Sequence, residues 1–180
     1  MDDRDPEAFR ALYRTHYGTV CRYLAARVHR SAVEDLAAET FLVAWRRQAE
    51  LPPHIVPWLL NTAGKCLANA RRSRERADAL AARLAGVLPA ATPGADAALE
   101  SSDRRRALIA ALVAVGERDR ELLLLRFWDG LKPREVAVVL GISPVVARAR
   151  LSRAGRRLER ALRDALAIDD PAPLSLPEAA

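Results

Sequence analysis

The sequence has few of the residues that catalysis, metal binding or membrane insertion would require. Its three histidines, His16, His29 and His54, are scattered, and no carboxylates or glycines have the spacing of a metal site or a phosphate-binding loop. No apolar run approaches the roughly 18 residues of a membrane-spanning helix, and the polar first residues do not resemble a signal peptide. We therefore expect no enzymatic activity, no metal, no cofactor and no membrane insertion.

Cysteine is also scarce. The two cysteines, Cys21 and Cys66, are isolated from each other, and each lies within a segment of periodic apolar residues. Cysteines placed in this way are typical of small core residues in a reducing compartment. The sequence therefore predicts a cytoplasmic protein that folds without disulfides.

Positive charge, by contrast, is abundant and unevenly distributed. The chain has 29 lysines and arginines against 23 acidic residues, which gives a net charge of +6. Acids and bases balance over residues 1–50, whereas residues 65–83 and 104–163 are strongly basic. Local basicity favours a polyanionic partner such as a nucleic acid, and the alternative is a solvated helix face.

Apolar residues recur at intervals near 3.6 residues, and no segment alternates as a strand does, so we predict an all-α fold. Pro89 and Pro93 interrupt this pattern in an alanine-rich stretch, and three prolines follow Asp169 near the end. These interruptions predict two small helical domains, a flexible linker between them and a disordered tail. The predicted boundaries are 5–84 for the first domain, 85–102 for the linker, 103–167 for the second domain and 168–180 for the tail.

Each domain is predicted to contain several helices. In the first, apolar stripes over residues 9–28 and 33–45 indicate two helices, and Pro57 opens a third. In the second, helices around 108–115 and over 118–128 precede a final pair.

That final pair, from Pro133 to Leu158, is the most informative segment. Gly141 suits a left-handed turn, and Ser143 is placed to cap a second helix that begins with Pro144. One apolar stripe is predicted on this second helix, formed by Ala147, Leu151, Ala154 and Leu158. Arginines occupy much of the remaining circumference. A rigid pair of short helices with a cationic free face is typical of a helix-turn-helix that enters the major groove of DNA.

The outer side of the second helix supplies the candidate DNA contacts. Arginine can bond to both major-groove acceptors of guanine, and arginines farther around the helix suit phosphates. The candidates are Arg148, Ala149, Arg150, Ser152, Arg153, Arg156 and Arg157. The alternative for individual arginines is pairing with Glu135 or Glu159.

A second basic cluster lies on the third helix of the first domain. It combines cations with amide side chains, a combination that suits single-stranded or distorted DNA, although a solvated helix end explains it equally well. The cluster contains Asn61, Lys65, Asn69, Arg71 and Arg72.

The second helix of the first domain carries an acidic and aromatic patch. Asp35 and Glu39 lie there with Phe41 and Trp45, whose exposed sides would suit a protein partner because aromatic residues anchor interfaces. The alternative is that Phe41 and Trp45 are core residues.

These motifs, in this order, resemble the extracytoplasmic-function (ECF) sigma factors of the sigma-70 family of bacterial transcription initiators. The first domain resembles sigma region 2 through DLAAETF at residues 35–41 and WLL at 58–60. The second resembles sigma region 4 through RFWDGL at 126–131, LGIS at 140–143 and RLSRA at 150–154. The resemblance implies an all-helical, non-catalytic protein that binds core RNA polymerase and directs promoter-specific transcription initiation.

The resemblance also implies roles for the candidate residues. Region 4 would read the −35 element through its second helix, and region 2 would read and help open the −10 element through its basic cluster. Polymerase contacts are implied for Asp35, Leu36, Glu39 and Phe41, and Trp45 belongs to the same predicted surface. Besides core polymerase and promoter DNA, family members often bind an anti-sigma factor, which nothing in this sequence identifies.

The chain departs from the family pattern at four places. Ala38 stands where glutamine is usual, and Gly64-Lys65 where an arginine-asparagine pair is usual. Val115-Gly116 stands where leucine-proline is expected before region 4, and Val145-Val146 where glycine-threonine is usual. These departures leave the promoter preference open. The alternative function is a homodimeric helix-turn-helix regulator that acts without polymerase, which a monomeric state in solution would disfavour.

Overall fold

A computed structural model describes residues 5–85 and 103–166, with side chains described over 5–79 and 106–166. The chain divides into two compact units, unit 1 (Met1–Asp96) and unit 2 (Ala97–Ala180). All regular elements in the described ranges are helical, and the all-α prediction is confirmed. The predicted tail and nearly all of the predicted linker lie outside the described residues.

The described residues of unit 1 form three α-helices. They are α1 (Pro6–Ala25), α2 (Val33–Arg46) and α3 (Ile55–Ala85), with single 3-10 turns before and after α2. The Asp5 carboxylate caps α1 by accepting hydrogen bonds from the backbone N–H groups of Glu7 and Ala8, at 2.9 and 3.1 Å. Helix α3 begins at Ile55, so Pro57 lies in its first turn. Proline is tolerated there because the first N–H groups of a helix have no partner inside it.

The core of unit 1 comes from one face of each helix. Val20 and Leu24 of α1 and Leu59 and Leu60 of α3 are almost fully buried. The buried hydroxyl of Thr40 donates a hydrogen bond to the backbone oxygen four residues earlier, at 2.7 Å. This bond satisfies a polar group that would otherwise cost free energy inside an apolar core.

Over residues 103–166, unit 2 forms four α-helices. They are α4 (Asp103–Ala114), α5 (Glu117–Leu123), α6 (Pro133–Leu140) and α7 (Pro144–Leu166). The predicted helix over 118–128 is an α-helix only to Leu123, since residues 124–128 form a π-helical turn. Gly130 follows this turn, and its φ of 73° is in the left-handed region, which glycine adopts without strain, where the chain turns toward α6.

Helices α6 and α7 form the predicted helix-turn-helix. Gly141 adopts the left-handed conformation at φ 63° and ψ 35°, and the N–H of Ile142 donates to the carbonyl of Ala137 at 3.0 Å, which closes the end of α6. The Ser143 hydroxyl then accepts the N–H of Val146 at 3.3 Å and caps α7. The turn is therefore fixed by one glycine and one side-chain cap, as the sequence predicts.

Candidate nucleic-acid and protein interfaces

Helix α7 is held in unit 2 by a stripe of mostly small residues. Ala147, Leu151, Ala154 and Gly155 are buried, and α7 packs against α4, α5 and α6. Small side chains on the buried face allow neighbouring helices to approach closely, so α7 packs tightly against all three of them. The opposite face of the helix is left to solvent.

That opposite face contains the sequence-predicted DNA contacts. All seven are exposed, namely Arg148, Ala149, Arg150, Ser152, Arg153, Arg156 and Arg157. The Arg153 Nε donates to the Ala149 carbonyl at 3.2 Å, and Arg156 Nη1 donates to the Ser152 hydroxyl at 2.9 Å. These bonds lay both guanidinium groups along the helix surface, where charge-assisted bonds to bases or phosphates remain within reach.

Arg157 differs from the other arginines on α7. Its guanidinium forms an ion pair with Asp119 of α5, whose side chain is only 15% exposed. Asp119 is neither of the acids considered from the sequence, and Glu135 instead accepts the Lys132 N–H at 2.7 Å to cap α6. The ion pair ties α7 to α5, so Arg157 has a structural contact in addition to its predicted role toward phosphate.

The first turn of α7 exposes two apolar side chains that the candidate list did not include. Val145 is 67% exposed and Val146 is 38% exposed. Val145 lies four residues before Ala149 and therefore shares its face of the helix, opposite Ala147. The helical spacing alone, read backward from Ala149, is the signal that would have placed Val145 among the candidates.

In unit 1, α3 aligns most of the second basic cluster. Lys65, Asn69 and Arg72 are exposed at helical spacing on one face, with the half-buried Asn61 one turn earlier. Arg72 also bonds to the Asn69 side chain. Arg71 lies on a different side of α3 and donates to the carbonyl of Arg27 at 3.4 Å. The structure thus groups four of the five predicted residues and separates Arg71.

Gly64 of α3 has a packing reason to be small. A Cβ atom at this position would lie 3.0 Å from the hydroxyl oxygen of the buried Tyr23 of α1. The guanidinium of Arg27 stacks on the aromatic ring of Tyr23, 3.7 Å from its centroid. The departure from the family pattern at position 64 therefore coincides with close packing of α1 against α3.

The acidic and aromatic patch on α2 is only partly as predicted. Asp35 and Glu39 are exposed, but Leu36 and Phe41 are buried, with Phe41 only 3% exposed. The expectation of an exposed side for Phe41 is wrong, because Tyr13 of α1 covers its ring at a centroid distance of 4.7 Å. Leu36 lies on the core face of α2 and supports the patch from beneath.

Helices α1 and α2 instead form an apolar groove together. The groove encloses about 300 Å³, and its lining is Phe9, Tyr13, Ala38, Phe41, Leu42 and Trp45. The half-buried Trp45 packs edge-on against Phe9 at a centroid distance of 5.0 Å. Leu42, at 45% exposure, forms an open edge of the groove beside the exposed carboxylates of α2. The sequence-predicted patch did not include Phe9 and Tyr13, which come from α1, or Leu42, which lies on α2 itself.

Two side chains of unit 1, Tyr17 and Cys66, have raised pKa values. A hydrogen bond with Cys21 is the main cause that raises the pKa of Tyr17 to about 12. Burial is the main cause that raises the pKa of the Cys66 thiol, and the nearby Glu39 carboxylate raises it further. Cys66 is buried as predicted, whereas Cys21 is half-buried, and both are free thiols. A raised pKa keeps Cys66 in its unreactive, protonated form.

Within the described residues, no three or more His, Cys, Asp or Glu side chains are grouped so that they could hold a metal ion. None of the described helices combines the length and apolar character needed to cross a membrane.

Comparison with known proteins gives consistent matches. The family model "Sigma-70, region 4" matches residues 105–158. The RNA polymerase sigma factor CarQ of Myxococcus xanthus is 34% identical over 165 residues, which cover 89% of this chain and 92% of CarQ. The probable RNA polymerase sigma factor RfaY of Xanthomonas campestris is 39% identical over 133 residues, which cover 69% of this chain but only 32% of RfaY.

A solved structure is similar over most of the chain. The sigma factor RpoE of Bartonella quintana, crystallised with the anti-sigma factor NepR, aligns with a TM-score of 0.63 at 20% identity. The alignment covers 91% of this chain and 99% of RpoE. At this identity the match supports the helical fold.

Proposed function

The chain belongs to the ECF group of the sigma-70 family of RNA polymerase sigma factors, and we propose that its two units divide promoter recognition and polymerase binding between them. As a sigma factor, it binds core RNA polymerase and directs transcription initiation at specific promoters. No observation favours the homodimeric regulator. The division of labour proposed here has unit 2 on the −35 element and unit 1 on polymerase and the −10 element.

The exposed cationic face of α7 is the observation that carries the assignment of unit 2. The helix is anchored on its opposite side by Ala147, Leu151 and Ala154, so the face is presented by a rigid support. Arg148, Ser152 and Arg153 lie on successive turns of this face and would contact base edges in the major groove. Arg150 and Arg156 would contact phosphates, and each phosphate contact adds about 0.9 to the salt dependence of binding.

The aligned side chains of α3 support a role for unit 1 in opening the −10 element. Lys65 and Arg72 would attract the backbone of the displaced strand, and Asn69 between them can hydrogen bond to an unstacked base. Taking a base out of the duplex costs a few kcal/mol, which binding to the open strand offsets. Arg71 has a different part in this proposal, because its bond to the Arg27 carbonyl joins α3 to the end of α1.

The groove between α1 and α2 supports the polymerase assignment. It offers an apolar cleft, edged by Leu42, next to the exposed carboxylates of Asp35 and Glu39. A polymerase helix with an apolar anchor residue and basic neighbours is complementary to this combination. In this proposal Leu36 and Phe41 shape the surface from the core side, and Trp45 forms one wall.

The chain is further proposed to act in the cytoplasm and to have no catalytic residues of its own. The sigma family is a non-catalytic regulatory family, and the described residues are arranged as binding surfaces. Chemistry at the promoter would then be that of the polymerase alone.

Charge reversal on α2 tests the polymerase assignment. We expect the double variant Asp35→Lys, Glu39→Lys to co-elute with bacterial core RNA polymerase at least tenfold less efficiently than the unchanged chain, because two favourable charges become repulsive. The matched control is Glu75→Lys, Asp78→Lys, which makes the same charge change at exposed positions of α3. Circular dichroism checks that both variants are folded. Equal co-elution of both variants would contradict the assignment.

A further inference from the structure

Val145 is the most exposed of the large apolar side chains that the structure describes, at 67%. It is the second residue of α7, and it belongs to the helix whose outer face carries the arginines. A β-branched apolar side chain gains nothing from water, and its burial against an apolar group is favourable. Val145 is therefore available for an apolar contact with whatever α7 binds.

The first turn of α7 holds Val145 in a fixed direction. The Ser143 hydroxyl caps the helix, and the Ala147 N–H donates to the Ser143 carbonyl at 2.9 Å. Val145 and Ala149, four residues apart, form a short apolar strip on the face opposite the buried Ala147. One turn farther along, the same face becomes polar at Ser152 and Arg153.

We propose that Val145 is a specificity-determining residue that contacts the 5-methyl group of a thymine in the −35 element, with Ala149 extending the contact. This inference depends on the proposed reading of the −35 element by α7. The first residues of a recognition helix contact base edges, and thymine alone among the four bases presents an apolar group in the major groove. Valine has no side-chain donor or acceptor with which to read the other bases.

The charge around Val145 favours DNA over a protein as the partner of this strip. Arg148, Arg150 and Arg153 flank the strip on the following turns, and all three are exposed. A cluster of cations around a small apolar patch is complementary to the phosphates on either side of a base edge. The −35 element of this protein should thus combine a thymine under the start of α7 with hydrogen-bonding bases under Ser152 and Arg153.

Uracil substitution tests the contact one methyl group at a time. The full chain and bacterial core RNA polymerase are first used to transcribe a promoter library with randomised −35 and −10 regions, which identifies the preferred −35 sequence. Each thymine of that sequence is then replaced by deoxyuridine, which removes only the 5-methyl group. Transcription is measured for the unchanged chain, for Val145→Ala and for the control Val113→Ala. Val113 is similarly exposed, at 61%, but it belongs to α4 and not to the recognition helix.

We expect one deoxyuridine to lower transcription by the unchanged chain and by Val113→Ala about three- to fivefold, the effect of losing one buried methyl group. Transcription by Val145→Ala should change less than twofold at the same position. Transcription that is insensitive to deoxyuridine, or equally sensitive with Val145→Ala, would overturn this inference and leave the sigma function intact. No transcription from any library member would overturn the proposed promoter reading itself, and the thymine contact with it.

Discussion

The outer face of α7 and the groove between α1 and α2 are both recognition surfaces, but they are built in different ways. On α7 a single helix separates its functions, with Ala147 and Leu151 in the core and Arg153 in solvent. In the groove, side chains from two helices meet, and Phe41 is at once a core residue and part of the lining. A substitution on the face of α7 should therefore change binding alone, whereas a substitution in the groove lining can change both binding and stability.

Removal of the Phe41 ring should give the largest effect. We expect Phe41→Ala to lower the free energy of unfolding of unit 1 by about 3–5 kcal/mol, because it leaves a cavity beneath Tyr13 and Tyr17. Polymerase binding should be lost with it. The measurements are thermal unfolding followed by circular dichroism and co-elution with core polymerase.

The matched control for Phe41→Ala is Leu42→Ala, which removes the neighbouring groove residue that is 45% exposed. Leu42→Ala should weaken co-elution while the unfolding temperature stays almost unchanged. If Phe41→Ala left stability unchanged, the dual role assigned to this ring would be wrong.

A smaller effect, confined to DNA, is expected on α7. Arg153→Ala should weaken promoter recognition by about 1–3 kcal/mol, the range for loss of a bidentate base contact. Arg153 is exposed, and its hydrogen bond to the Ala149 carbonyl lies within its own helix. The unfolding temperature and polymerase binding should therefore not change. Promoter binding and initiation by the reconstituted holoenzyme provide the measurement. A loss of polymerase binding equal to the loss of initiation would show that Arg153 is structural.

The sequence was sufficient to predict most of α7 and little of the groove, and the reason is physical. The turn at Gly141, the cap at Ser143 and the buried stripe all depend on neighbours within a few residues along the chain. Helical spacing therefore predicted the exposed face correctly. It also contained the information that Val145 shares the face of Ala149, which the candidate list did not use.

The groove depends on contacts between residues far apart in sequence. Helical spacing on α2 places the apolar Phe41 next to the exposed face of that helix. The spacing does not reveal that Tyr13 from α1 covers the Phe41 ring. In the same way, the bond from Arg71 to the Arg27 carbonyl and the ion pair between Arg157 and Asp119 join different helices. Such contacts follow from how helices pack, which periodicity within one helix does not determine.

The most direct test of the account is reconstituted transcription with the purified full chain and bacterial core RNA polymerase on fragments of genomic DNA. The account predicts that the chain co-elutes with core polymerase and that discrete transcripts start only when both are present. The start sites should share a −10 and a −35 element. Binding of the chain to duplex DNA as a dimer, with no association with polymerase and no such transcripts, would contradict it.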